Sequence, residues 1–391
     1  MATVSPPAAI AAPTFSKRVL AALPTALSSI GAVAIALLVG AVIILLSGQD
    51  PLLAYSALFQ GAFGGVKPIT ETLVAATPLI FGGLAFAVAA QAGLFNIGIE
   101  GQMAMGGLAA GIVGALPLGL PLVLHLPLAL VAAVAAGGIW GGIPGFLKAR
   151  TGAHEVITTI MLNYLAFRIS TILISWDDVL PVKPDLQATV GAVPEARLPR
   201  PIEGTRLNAG FLLALLAAVA VWYVLYRTTL GYRLRTVGIS QGAAAYAGIA
   251  WGATITLAMA ISGVLSGLGG AADVLGLQGR YYNVQAGYGF TSIAVGLVGR
   301  NNPFGVVLAG LLFGALSAGA SKMQSTAGIS KDLVSVLLGL VILSVSAFAV
   351  LDEFRRRRKQ AAVAQSMTRD RAAEDTPGPD EDADDAAEQR I

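Results

Sequence analysis

The chain is organised around an interruption. From Gly93 to Gly107 it reads GLFNIGIEGQMAMGG, with apolar sequence entering from Thr77-Pro78 to Ala90 and leaving from Met103 to Leu116. Gln91, Asn96, Glu100 and Gln102 stand inside that run, with glycines at 93, 98, 101, 106 and 107. A stable continuous helix does not set four polar side chains and repeated glycines in hydrocarbon. Such backbone is tolerated at membrane depth only where it is buried in protein or lines a wet cavity. A carboxylate at that depth marks a candidate functional site. The plainer alternative is a tight turn between two spans, with Glu100 solvated.

Composition identifies the solvent as lipid. The 391 residues are 55% hydrophobic and 12% charged, against about 25% charged in soluble domains. Apolar stretches of helical length recur without strand-like alternation, so the expected fold is an all-α integral membrane protein rather than a barrel. Glycine, at 47 residues, suits close packing of helices through small side chains. The chain has no cysteine, which excludes disulfides and thiolate chemistry.

Ten spans are expected, near 25–47, 70–90, 96–116, 127–147, 156–175, 208–227, 252–272, 286–299, 303–321 and 331–351. The domain reading is a disordered tail at 1–24, a transmembrane bundle at 25–351, and a second tail at 352–391 that is basic and then acidic. Arg355 to Lys359, Lys148, Arg150, Arg227, Arg233, Arg235 and Arg300 fall on one side of a ten-span arrangement, as do Lys17 and Arg18. The positive-inside bias therefore puts both termini in the cytoplasm. The Pro-rich loop 176–207 then lies outside.

The segment 286–299 gives only about 21 Å of helix, short of the roughly 30 Å hydrocarbon core. It follows Tyr281 to Phe290 (YYNVQAGYGF), a second polar, glycine-broken entry into an apolar run. Two interrupted segments five spans apart have opposite orientations. That is the pattern of a five-plus-five inverted repeat with broken helices beside a central pathway. Glu155, Thr159 and Asn163 recur every fourth residue and share a helix face, available either for interhelical hydrogen bonds or for substrate.

The chemistry is that of passage rather than reaction. There is no G-x-x-x-x-G-K-[ST] phosphate loop, and His125 and His154 lack metal-ligand spacing. No catalytic residue, metal, cofactor or nucleic-acid partner is expected. The candidate pathway residues are Asn96, Glu100, Gln102, Thr159, Asn163, Asn283, Gln285 and Tyr288, with Tyr281 and Tyr282 at the outer mouth. The segment Tyr226 to Ile249 (YRTTLGYRLRTVGISQGAAAYAGI) carries Arg233 and Arg235, then Ser240 as N-cap, Ala243 to Tyr246 as a short helix and Gly248 as its stop. A basic loop with a compact helix suits docking of a soluble partner.

Four blocks in order resemble one family: GLFNIGIEGQMAMGG, GAHEVITTIMLNYL (Gly152 to Leu165), GYRLRTVGISQGAAAYAGI, and GYGFTSIAVGLVGRNNPFG (Gly287 to Gly305). The chain resembles permease subunits of bacterial ATP-binding-cassette importers, in the nucleoside-type branch of the ribose/branched-chain amino-acid permease superfamily. The resemblance covers about residues 70–350. It implies the ten-helix inverted-repeat importer architecture in the bacterial plasma membrane. It also implies a second permease subunit, a cytoplasmic ATP-binding subunit and an external substrate-binding lipoprotein as partners. It implies that segment 226–249, with Arg233, Arg235, Ser240 and Tyr246, is the ATPase coupling loop. A simple-sugar or branched-chain amino-acid permease is the alternative within the family. An ion-coupled secondary transporter using Glu100 or Asp273 is the alternative outside it.

Overall fold

A computed structural model describes Gly31, residues 34–330 and, beyond them, 332–336, 339, 340, 343, 344 and 347. The tails at 1–24 and 352–391 lie outside the described residues, as does much of the first and tenth expected spans. Of the two units into which the chain divides, Met1–Ala36 with Leu343–Ile391 contributes only a few described helical residues. Apart from residues 34–36, all that follows concerns the other, Leu37–Ile342.

The helices are α1 (Ala34–Leu46), α2 (Pro51–Phe63), α3 (Val66–Gln91), α4 (Ile99–Ala115), α5 (Leu122–Thr151), α6 (Glu155–Ile174) and α7 (Gly210–Arg227). They continue as α8 (Thr229–Ile239), α9 (Gln241–Tyr246), α10 (Trp251–Ala271), α11 (Tyr288–Val298) and α12 (Pro303–Ala327). Among the described residues six are long and apolar enough to cross a membrane, α10 counted with the turn that extends it to Gln278. α1, α4 and α11 are shorter. α2 lies where no element was expected. Its start is nevertheless written in the sequence: Pro51 opens it, and the Asp50 side chain accepts from Leu52 N at 2.8 Å. Too short for a span, it seats Ala54, Ala57 and Ala62 against its neighbours, and Gly61 lies close against Gly319 of α12.

α3 is buried along most of its length and α10 along much of its own, whereas α5, α6 and α7 expose large apolar side chains outward. The centre is held by missing side chains. Gly137, Gly141 and Gly145 of α5 face Met259, Gly263 and Gly267 of α10 so closely that a Cβ on Gly141 would lie 2.7 Å from Gly263 Cα. Backbones at that range gain dispersion contacts that larger residues would forbid.

The Pro-rich loop is more ordered than its composition indicates. β1 (Val182–Lys183) pairs antiparallel with β2 (Ala188–Thr189). The loop then bonds to the stretch after α10: Thr189 N donates to Tyr281 O (2.9 Å), Ala192 N to Gly279 O (2.8 Å) and Leu198 N to Leu275 O (3.1 Å). Its far end is strapped to α3, where Arg206 Nε donates to both Glu71 oxygens at 2.9 and 3.1 Å and Nη2 bonds a second time to Oε2. The Glu71 carboxylate pushes the Arg206 guanidinium further up from its already high value.

Candidate functional site

The first interruption is a true break. α3 ends at Gln91, seven residues run without helix, and α4 begins at Ile99. Gly93 lies against Gly238 of α8, its virtual Cβ 3.2 Å from Gly238 Cα, so this end of α3 sits beside the α8–α9 segment. Gln91 Nε2 also donates to Asn301 O (3.3 Å), in the turn between α11 and α12, at the same end of the bundle. The non-helical residues 92–98 then climb into the bundle before α4 starts.

Backbone groups freed by a break inside apolar surroundings need partners, and the predicted residues Asn96 and Asn163 supply several of them. Asn163 of α6 accepts from Gly101 N (2.8 Å) and donates to Ile97 O (2.9 Å). Asn96 accepts from Gly98 N (2.8 Å) and donates to Ser262 Oγ (2.8 Å) and Gln102 Oε1 (3.1 Å). Ser266 Oγ donates to Gln102 Oε1 (3.0 Å), and Ser262 Oγ to Ala85 O (2.7 Å). Thr159 is fully buried, and its hydroxyl returns to Glu155 O (2.7 Å). Glu155 itself pairs with Lys148 at 2.6 Å. Ser262 and Ser266 escaped sequence reading. Their signal was a serine pair four apart on the glycine face of α10.

The second interruption meets the first. After α10 the backbone widens into a π-helical turn, Ala272–Gln278, then runs without helix until α11 starts at Tyr288. Gly287, with φ +74°, is the N-cap. Glu100, in the first turn of α4, is buried and takes two N–H groups at the α11 start: Gly287 N at 2.8 Å on Oε1 and Gly289 N at 2.5 Å on Oε2. Two helix N-termini thus approach each other around one carboxylate. Each carries about half a positive charge from its peptide dipoles, and Glu100 counters both. Glu100 is therefore not a solvated turn residue.

Beside this junction lies a cavity of about 280 Å³, lined by Glu100 and Met103 of α4, Asp273 and Gln278 of the π turn, and Tyr281 and Tyr288 among others. Phe167 and Tyr282 also line it. A wider cavity of about 760 Å³ sits next to it, lined by Lys67, Glu71, Arg206 and Ser317. Gln278 and Tyr288 face both. Of the predicted pathway residues, Glu100 and Tyr288 line the inner cavity. Asn96, Gln102, Thr159 and Asn163 are buried in the wall behind it. Asn283 donates to Thr171 Oγ1 (2.8 Å), and Gln285 is exposed. Gln278 and Phe167 were missed, since a lone glutamine or phenylalanine near a helix end carries no pattern.

At the α8–α9 end, Ser240 caps α9 by accepting from Ala243 N (3.3 Å), and Gly248, with φ +69°, closes it. Tyr246 is 98% exposed and Ile239 87%. Arg233 is exposed, and the Arg235 guanidinium lies 5.1 Å from the centre of the Tyr226 ring.

A multi-pass helical bundle, broken twice at one polar junction beside a cavity, defines a membrane transport protein of the permease class. The chain belongs to the family of branched-chain amino acid transport system / permease components, whose description matches residues 69–346. It is 42% identical over 341 residues to the guanosine ABC transporter permease protein NupP of Bacillus subtilis, covering 85% of this chain and 96% of that one. It is 34% identical over 345 residues to the nucleoside ABC transporter permease protein NupB of Lactococcus lactis, covering 86% and 94%. It is 35% identical over 362 residues to the glucose ABC transporter permease protein TsgB13 of Haloferax volcanii, covering 88% and 92%.

Proposed function

We propose that this chain is a permease subunit of a nucleoside importer, forming its translocation pathway while a separate cytoplasmic subunit hydrolyses ATP. The observation that carries the substrate class is near full-length similarity to a guanosine and a nucleoside permease. A second permease subunit completes the pathway, and an external lipoprotein delivers the substrate. The ten-helix, five-plus-five inverted repeat with both termini in the cytoplasm is part of this reading. The head-to-head approach of α4 and α11 supports it, since a two-fold axis in the membrane plane would exchange two such half-helices. The pathway runs past Glu100 and Tyr288, with Asn96, Gln102, Thr159 and Asn163 behind its wall and Asn283 and Gln285 toward its mouth. Arg233, Arg235, Ser240 and Tyr246 form the face that meets the ATPase.

The deciding experiment is uptake of radiolabelled nucleosides by the reconstituted importer, with and without the ATP-binding subunit. Uptake should require both that subunit and ATP. Nucleoside uptake surviving without the ATPase, on a sodium or proton gradient, would overturn the reading. Glucose is the second reading, favoured by the Haloferax relative. Uptake of a simple sugar in place of nucleosides would establish it.

The network around Asn163 yields a second expectation. Removing its amide leaves Gly101 N and Ile97 O without their partner, at about 1–3 kcal/mol for each group left unsatisfied. Asn163→Ala and Asn96→Ala should therefore each lower uptake several-fold without abolishing assembly. Each should also lower the melting temperature of the purified complex, with little change in KM. A rise in KM at unchanged melting temperature would instead place these amides on the substrate.

A further inference from the structure

We propose that Asp273 reads the substrate: a free oxygen of its carboxylate accepts an N–H from the edge of a nucleobase held in the cavity beside Glu100. This rests on the nucleoside reading above. Asp273 lines that cavity, and its Oδ1 is closed off from solvent without a hydrogen-bond partner among the described residues. Gln278, at the other end of the same π turn, lines the cavity beside it. Rotation about the Cβ–Cγ bond exchanges the two oxygens, so the unpaired one can be turned to the cavity that Asp273 lines. A buried acceptor left unpaired costs stability, and π turns recur at functional sites.

What this oxygen accepts from follows from the neighbours. A bound cation needs several oxygen ligands, but both oxygens of Glu100, the other acid on this cavity, are taken by Gly287 N and Gly289 N. One free oxygen suits one donor instead. Phe167, Tyr281, Tyr282 and Tyr288 line the same space, and a flat heterocycle stacks on aromatic faces. A base lying against them turns its edge, with its N–H, toward the acid. Gly269 and Gly270 form the α10 side of its wall. Gln278 and Tyr288 separate this cavity from the wider one, so the base would pass between them.

The test uses the whole importer in liposomes and two pairs of substrates. Inosine is compared with 1-methylinosine, and adenosine with N6,N6-dimethyladenosine, in the unaltered chain, Asp273→Ala and Asp273→Asn. The binding lipoprotein is identical throughout, so its own preference cancels in the ratio of ratios. We expect the unaltered importer to favour the N–H-bearing member of at least one pair. In Asp273→Ala that preference should shrink about tenfold or more, as loss of a charged hydrogen bond implies. Asp273→Asn, nearly identical in shape, keeps one acceptor and should lose several-fold, and it decides the matter if the alanine variant fails to assemble. An equal fall for both members of each pair would overturn the assignment and make Asp273 a structural residue. So would loss, in the variants, of a sodium or pH dependence shown by the unaltered importer. If the unaltered importer carries no nucleoside, the substrate class fails and this assignment with it.

Discussion

An importer carrying Gly289→Ala is expected to lose uptake about a hundredfold or more, and to lose it through assembly rather than through substrate affinity. A Cβ at 289 would stand 2.5 Å from Glu100 Cα and 2.8 Å from its Cβ, against the backbone of a helix that has nowhere to go. α4 is hemmed in on its other side, where Gly101 sits 2.9 Å, virtual Cβ to Cα, from Asn163. The methyl group must therefore push α11 away, breaking the Gly289 N bond to Glu100 and opening the junction. Glu100→Gln attacks the same junction without bulk. The amide keeps one acceptor but turns its NH2 toward an N–H, losing at least one charge-assisted bond of about 1.5–3 kcal/mol. It also leaves two helix N-termini facing each other uncompensated, at about 0.3–1 kcal/mol each. Both variants should give a lower yield of intact complex on size-exclusion and a lower melting temperature. Gly287→Ala is the control: its φ is strained for alanine, but a Cβ there meets nothing within 4 Å, so its loss should be only about 1–2 kcal/mol. Should Glu100→Gln instead assemble fully and abolish uptake in a pH-dependent way, an ion-coupled mechanism would take precedence.

How far the sequence announced this junction can be judged residue by residue. Both breaks were legible because polar residues and glycines inside apolar runs violate the rule that membrane backbone satisfies itself. The α9 cap was legible because Ser240 and Gly248 are local signals, each acting within a few residues. The partner of Glu100 was not legible. It bonds residues 187 and 189 positions away, and backbone N–H groups leave no trace in composition. For the same reason the amides at 96, 102 and 163 read equally well as pathway or as wall, since an Asn aimed at a substrate and one aimed at a carbonyl are the same letter. The order in the 176–207 loop was hidden too, because most of its ties are made by backbone to a distant stretch around Tyr281.

The other large effect is expected at the opposite end of the chain's work, in coupling. Tyr246→Asp should leave membrane insertion and complex yield intact, because the side chain is 98% exposed and nothing buried is disturbed. It should nevertheless cut uptake more than tenfold and leave ATP hydrolysis unresponsive to substrate. The argument begins with rigidity. α9 is only six residues long, but Ser240 fixes its start, Gly248 N returns to Ala245 O (3.0 Å) and Ile249 N to Ala244 O (2.9 Å), and Ala244 is buried beneath it. A braced short helix can transmit a push where a loose loop would absorb it. It presents an aromatic ring and, just before it, the exposed Ile239, with Arg233 alongside. Aromatic anchors at the centre of an interface contribute about 2 kcal/mol or more, and rim charges little. Tyr246→Phe should therefore transport nearly normally, and Arg233→Ala should lose only a few-fold, while a carboxylate at 246 must be desolvated to dock. ATPase rate and uptake, measured on the same proteoliposomes with and without nucleoside, separate the outcomes. Normal, substrate-stimulated hydrolysis and full uptake in Tyr246→Asp would reduce α9 to a topological marker and move the contact elsewhere on the α8–α9 face.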